Sequence, residues 1–509
     1  MTSAFETRPP PVNSGAPAQA QWFGHPRGLA TLFFTEMWER FSYYGMRALL
    51  ILYMTAAFTG ANPGLDLSTR DAAAVYGIYT ALVYLVALPG GWAADRLWGA
   101  RRTVFWGGCI IACGHFTMAA PLLGLPETAC FYLGLTLIVA GTGLLKPNIS
   151  VMVGALYPEG GARRDAGFSI FYMGINLGGM LGPVVCSLLA ENINWHWGFS
   201  MAGIGMVLGL VQYRRGARHL GDAGLRAAHP LLTGGNPVPV VPIVVAGVIG
   251  VIIALGIVLA SSVMTLGLMA RGLGYTVVAV AGLYFVYLFF AAGLSRNEKQ
   301  RLIVIVWLFL LAALFWSGFE QAGSSLNLFA YKLTDRNLLG WTMPAGWLQS
   351  INPLFIIVLA PLFGTLWTWA ARRDADPSMP MKFALGLTGL AAGFFVIAWG
   401  AANASPGSPA SPAWLIATYF LHTCGELCLS PVGLSAMTKL APRGRAGQMM
   451  GIWFIAAALG NLIAGLVAGS LENLAPDALF RNVAMFMGAA GLIAVLASPV
   501  VRKLIGPLR

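Results

Sequence analysis

Charge is what this 509-residue chain has least of. Only 10% of its residues are Asp, Glu, Lys or Arg, and its 19 acids are outnumbered by 31 bases. A water-soluble protein of this length would expose far more charge, which excludes the ordinary soluble classes. Histidine and cysteine are also sparse, with six of each. Cys109 and Cys113 lie one helical turn apart, as do Cys424 and Cys428, yet no histidine or acidic set completes a metal site around either pair. With Cys130 and Cys186 they read as buried thiols acting as small apolar residues. Unpaired cysteines and few mid-span histidines also argue against a membrane enzyme, which would need a nucleophile–base or metal set. Residues 1–28 lack the apolar core of a cleaved signal peptide and, being rich in proline and alanine, read as a disordered cytoplasmic tail.

What the chain does have is apolar length. It is 57% hydrophobic, with 63 glycines for close helix contact and 16 tryptophans suited to membrane interfaces. A bilayer-spanning helix needs about 20 residues. Fourteen candidates fall near 29–56, 72–95, 103–122, 128–153, 167–190, 197–213, 238–262, 275–294, 302–328, 345–370, 382–401, 413–437, 446–470 and 482–501. This is an all-α integral membrane protein, multi-pass in the cell (inner) membrane. Nearly all Lys and Arg collect in alternate loops, and the other loops hold only Arg70, Arg271, Lys332, Arg336 and Arg481. By the positive-inside rule both termini are cytoplasmic. The net charge of +12 is therefore a topology signal, and no nucleic-acid partner is expected.

Residues 90–102, GGWAADRLWGARR, join the second and third spans. Their Gly91, Asp95, Arg96 and Gly99 resemble the loop signature of the major facilitator superfamily. That resemblance implies two six-helix bundles, and an acid and base that cap helix ends and latch the cytoplasmic face. The expected division is an N-terminal bundle at 29–214, a linker with an inserted transmembrane hairpin at 215–300, and a C-terminal bundle at 301–509.

An ionisable group at mid-membrane costs about 2.5–3.5 kcal/mol, so each one is a functional candidate. They are few: Glu36, Glu39, Arg40, Arg47, Lys146, Glu320 and Glu426. At about 100° per residue, Glu36, Arg40, Tyr43 and Arg47 form one stripe, flanked by Glu39 and Tyr44. Trp38, Phe41 and Leu49 occupy the other side, which suits lipid. A structural salt-bridge ladder is the competing reading. Lys146 precedes Pro147, which removes a backbone hydrogen bond and bends its helix. Glu320 sits among glycines and serines, and Glu426 lies four residues before Ser430. A Lys146–Glu320 contact would couple protonation to the position of the two halves.

EMWERFSYYG (36–45) resembles the E-x-x-E-R-F-x-Y-Y-G signature of the proton-coupled oligopeptide transporters. FYMGINLGG (171–179) resembles that family's fifth-helix motif, and GLLKPN, FWSGFEQ, QSINP and GELCLSP resemble its pocket motifs in the same order. The resemblance implies a symporter importing di- and tripeptides with protons by alternating access. Glu36, Glu39, Arg40 and Glu320 would handle protons, with Glu320 partnered by Arg47 or Lys146. Arg47 and Lys146 would attract the peptide carboxylate and Glu426 its ammonium, while Asn176 and Asn352 would bond its backbone. Tyr43, Tyr84, Trp316 and Trp453 would line side-chain pockets, and Ser430 completes the substrate set. A zwitterion needs a cation at one end of a cavity and an anion at the other, so the assignment is physically coherent. No cofactor is expected beyond the coupling proton, and a monomer embedded in lipid is expected to suffice. The helix-two histidine of animal relatives is absent, so carboxylates would carry the coupling. A related carrier of nitrate or a small organic acid is the alternative, although it has less need of Glu426.

Overall fold

Helix starts are written locally in the chain. Ser68, Asn194 and Thr265 each cap a helix by accepting a backbone N–H, and Ser295 with Glu298 forms a reciprocal capping box. The computed structural model describes residues 21–227 and 265–505. Its helices are α1 (Arg27–Thr55), α2 (Thr69–Leu85), α3 (Ala87–Ala93), α4 (Ala100–Ala119), α5 (Glu127–Ala155), α6 (Gly161–Asn192) and α7 (Trp195–Gly216). There follow α8 (Leu266–Phe290), α9 (Arg296–Phe319), α10 (Ser325–Leu333), α11 (Ile351–Ala371), α12 (Met379–Ala401), α13 (Ala413–Leu440), α14 (Ala446–Ala468) and α15 (Pro476–Ile505). Joined by short 3-10 and π turns, they make thirteen membrane-length segments among the described residues, of which ten are apolar enough throughout to cross a bilayer by composition alone. The fourteenth expected span, 238–262, lies outside the described residues. Residues 21–26, assigned above to a disordered tail, form a small antiparallel hairpin whose Trp22 packs on Phe33.

One packing pattern occurs twice. In the first half α1 packs on α6 and α7, and α4 packs on α5 and α7. In the second half α9 packs on α14 and α15, and α12 packs on α13 and α15. This is the major facilitator arrangement. The halves meet where α2 crosses α14 and α6 meets α11, and α8 lies against both α2 and α14.

The apolar side of α1 does not face lipid, contrary to the sequence expectation. Phe41 and Leu49 are fully buried, and Trp38 packs edge-on to Phe41. Glycines spaced by four on α6 explain why: a Cβ at Gly178 would collide with the Met37 carbonyl, and one at Gly182 with that of Phe41. With Gly205 and Gly209 of α7 under Phe41 and Trp38, the small residues draw α1 into the bundle. Gly178→Ala is therefore expected to cost about 1–3 kcal/mol, read as a lower unfolding temperature in detergent. An unchanged temperature would mean that α1 and α6 can part freely.

The loop motif also differs in detail. Asp95 and Arg96 are exposed, and the clasp at this end is made by Arg101. Its guanidinium donates to the carbonyls of Ala217 and Gly221, and its backbone N–H to Gly224. Gly99 turns the chain at φ 77°, pressed against the backbone of Gly224 and Leu225.

Candidate functional site

Two helix breaks place the central groups. The α9 helix stops at Phe319, Glu320–Gly323 form a 3-10 turn, and α10 resumes at Ser325. The glycines and serines of this stretch suit such a break. At its start, Glu320 Oε2 lies 2.5 Å from Arg47 Nη2 of α1. Arg47 Nε donates to the Tyr76 hydroxyl of α2, also at 2.5 Å. All three residues are buried, and Gly323 leaves the room they occupy. Glu320 is thus held by Arg47, not by Lys146, in this conformation. The Lys146 ammonium instead sits 3.8 Å from the centre of the Tyr84 ring, a cation–π contact. Tyr84 stacks in turn on Phe454 of the opposite half.

Beside this pair lies the remainder of the α1 stripe. Arg40 Nε is 2.9 Å from Glu36 Oε1 and 2.5 Å from Glu39 Oε2, so two buried carboxylates share one guanidinium. Close as they are, the angles satisfy neither as a hydrogen bond. The cluster carries one more acid than base, which makes it a natural place for a proton. It does not line the cavity beside Arg47 and Glu320.

That cavity, of about 150 Å³, lies between the halves. From the first half it is lined by Tyr44, Arg47, Tyr84 and Asn176, and from the second by Trp316, Glu320, Asn352 and Glu426, among others. Asn352 Nδ2 donates to Thr423 at 2.9 Å and to Glu426 Oε2 at 3.2 Å, which aims the carboxylate across the cavity. Asn176 Nδ2 donates to the Tyr172 carbonyl of its own helix at 2.9 Å. Trp316, Gln349 and His422 also line it, and Trp316 Nε1, Gln349 Nε2 and His422 Nε2 have no protein hydrogen-bond partner. Buried polar atoms of this kind are ordinarily satisfied, which sets these three apart.

Four substrate-binding candidates fall outside the cavity lining: Lys146, held on Tyr84, and Tyr43, Trp453 and Ser430. Tyr43 packs against Tyr79 and over Arg40, and its neighbour Tyr44 takes the cavity position. Trp453 is buried against Phe383 and Gly433. Ser430 Oγ is enclosed without a partner, beyond the cavity lining. Tyr76, Tyr172, Gln349 and Thr423 were not singled out by the sequence reading. Of these, only Gln349 and Tyr172 stood inside quoted motifs, where adjacency to Asn352 and Asn176 could have flagged them.

Contacts between the halves gather at one end, around the C-terminus of α1. Asn327 donates to the Ala48 carbonyl at 2.8 Å, Trp347 to that of Val184 at 2.9 Å and Ser350 to that of Met180 at 2.8 Å. Arg336 pairs with Glu191 at 2.8 Å, and Glu191 also accepts from the backbone of Ala345. These bonds tie the two halves together at that end.

Known proteins share this arrangement. Residues 101–481 match the family described as PTR2, the POT family. The peptide transporter YePEPT of Yersinia enterocolitica is 43% identical over 502 residues, spanning 95% of this chain and 96% of that protein. The di-/tripeptide transporter of Lactococcus lactis subsp. cremoris is 37% identical, with 96% and 98% covered. The crystal structure of the peptide transporter POT in complex with sulfate superposes with a TM-score of 0.85 at 39% identity, covering 96% and 97%. A match that runs through both halves admits one conclusion: the chain belongs to the POT family of membrane transporters.

Proposed function

We propose that this protein is a symporter that imports di- and tripeptides with protons by alternating access. The observation carrying this reading is a single cavity that presents Arg47 from one half and Glu426 from the other, with unpartnered polar atoms and aromatic walls between them. Such a site fits a short zwitterion with a peptide backbone and variable side chains. A simple anion would leave the buried Glu426 facing it with like charge, which argues against nitrate or an organic acid.

The closed end faces outward and both termini lie in the cytoplasm, in keeping with the Lys/Arg distribution. Arg47–Glu320 then bridges the halves beneath this outer seal. When Glu320 takes up a proton, Arg47 is released to the peptide carboxylate and the bridge opens. When the proton leaves toward the cytoplasm, the pair re-forms and displaces the peptide. Lys146 adds positive potential on the same side of the cavity, and its resting place on Tyr84 can be exchanged for a carboxylate. One chain contains the entire path, so a monomer suffices.

Glu426→Gln tests the substrate class. A buried charge-assisted contact to the peptide ammonium is worth about 1.5–3 kcal/mol, so free dipeptides should lose affinity roughly tenfold or more. N-acetylated dipeptides, which lack the ammonium, should change little. Equal losses for both ligands in a competition assay would remove Glu426 from substrate recognition.

A further inference from the structure

A second groove of about 630 Å³ runs down the outside of the bundle between α1 and α7, away from the peptide cavity. Its mouth carries Arg27, at the start of α1, with Arg215 and Arg218 from the end of α7 and the turn after it. All three are exposed, no carboxylate lines the groove, and none of the three forms a salt bridge among the described residues. Burial, with Arg27 and Arg218 close by, holds the neighbouring His219 imidazole below its usual pKa, so the fixed charge comes from the arginines. Below the mouth the walls become apolar, and Phe34, Leu208 and Val211 are exposed there on surface that a bilayer would cover. Trp22 packs on Phe34 at the boundary, where an aromatic ring straddles headgroup and chain. The geometry is fixed, since Thr31 Oγ1 donates to the Gly216 carbonyl and Gly28 abuts the His219 carbonyl.

We propose that this groove binds one anionic phospholipid, its headgroup phosphate between Arg27, Arg215 and Arg218 and an acyl chain along Phe34, Leu208 and Val211. Uncompensated cations directly above a lipid-facing apolar trough match such a molecule in both charge and shape, and a zwitterionic lipid would leave the positive excess unanswered. The occupant would rest on the back of α1, one to two turns from Glu36 and Glu39 in sequence. Thr35 already ties this side of α1 to Gln212 of α7 at 3.1 Å. A bound lipid would therefore brace the helix that carries the charge cluster without touching the peptide path.

The test uses the full chain in phosphatidylcholine vesicles with phosphatidylglycerol as the minor lipid, followed by extraction and mass spectrometry of retained lipid. The wild type should retain phosphatidylglycerol out of proportion to its abundance. Each arginine changed to glutamine should lower that retention about fivefold, with Arg27→Gln/Arg215→Gln/Arg218→Gln losing it altogether. Arg372→Gln/Arg373→Gln, a basic pair outside the groove, should leave it unchanged. If the triple variant does not fold, Arg218→Gln alone still reads the expected fivefold loss. Equal retention by wild type and groove variants overturns the site. Thermal protection by inorganic phosphate, without retention of phosphatidylglycerol, would make it a free-anion site and overturn the lipid assignment.

Discussion

Glu320→Gln is expected to abolish concentrative peptide uptake while leaving peptide exchange measurable. Glu320 and Arg47 are 2.5 Å apart, buried, and held on opposite halves of the molecule, so their pairing reports whether the halves are joined at mid-membrane. In the proposed cycle, a proton on Glu320 is the event that frees Arg47. Glutamine mimics that state permanently, so peptide can still bind and cross, but the proton no longer changes anything. A charge moving through 100 mV carries about 2.3 kcal/mol, equivalent to roughly fiftyfold accumulation per proton. In proteoliposomes with an imposed potential, that ratio should fall to about one, with counterflow retained. Arg47→Ala acts from the other side. It leaves the Glu320 carboxylate buried without a partner, costing about 3–5 kcal/mol, and removes the cation the peptide needs, so uptake and counterflow should both fail. The swap Arg47→Glu with Glu320→Arg should recover thermal stability relative to either reversal alone. Wild-type accumulation by Glu320→Gln would place the coupling elsewhere.

The second large effect is expected at the shared guanidinium. Glu36 and Glu39 both lie within 3 Å of Arg40 Nε, which cannot satisfy two buried carboxylates at once. One of them is the acid that gains most from a proton, and removing it should end coupling without dismantling the cavity. Glu39→Gln, or Glu36→Gln, should bring the accumulation ratio from roughly fiftyfold per proton to about one, again with counterflow intact. Counterflow exchanges peptide with no net proton movement and needs only binding and rocking of the halves. Should both activities fall together in a variant with an undiminished unfolding temperature, the cluster is scaffolding.

The stripe on α1 was legible because helical periodicity alone puts Glu36, Arg40 and Arg47 on one side of a long apolar segment. Two neighbouring tyrosines defeat the same reasoning. Tyr43 and Tyr44 differ by 100° around the helix, and only the packing of α2 decides that Tyr44 reaches the cavity while Tyr43 stacks on Tyr79. Trp453 was misplaced for a related reason: Gly433 opens a slot in the neighbouring helix that absorbs its indole, and no single-helix pattern contains that slot. The burial of α1 on every side depends on glycines of α6 and α7, far away in sequence. The partner of Glu320 was undetermined because Arg47 and Lys146 both carry suitable charge. The break after Phe319 and the seal beside Ala48 turn Glu320 toward Arg47, and Tyr84 holds Lys146 aside.

The most direct measurement is lumenal pH in proteoliposomes reconstituted with the wild type, clamped at an inside-negative potential, on addition of dialanine. Proton-coupled import predicts that the lumen acidifies with dialanine, at a rate that rises with the potential, and that Glu320→Gln shows no acidification. Entry of labelled dialanine into the same vesicles with no change in lumenal pH would contradict it.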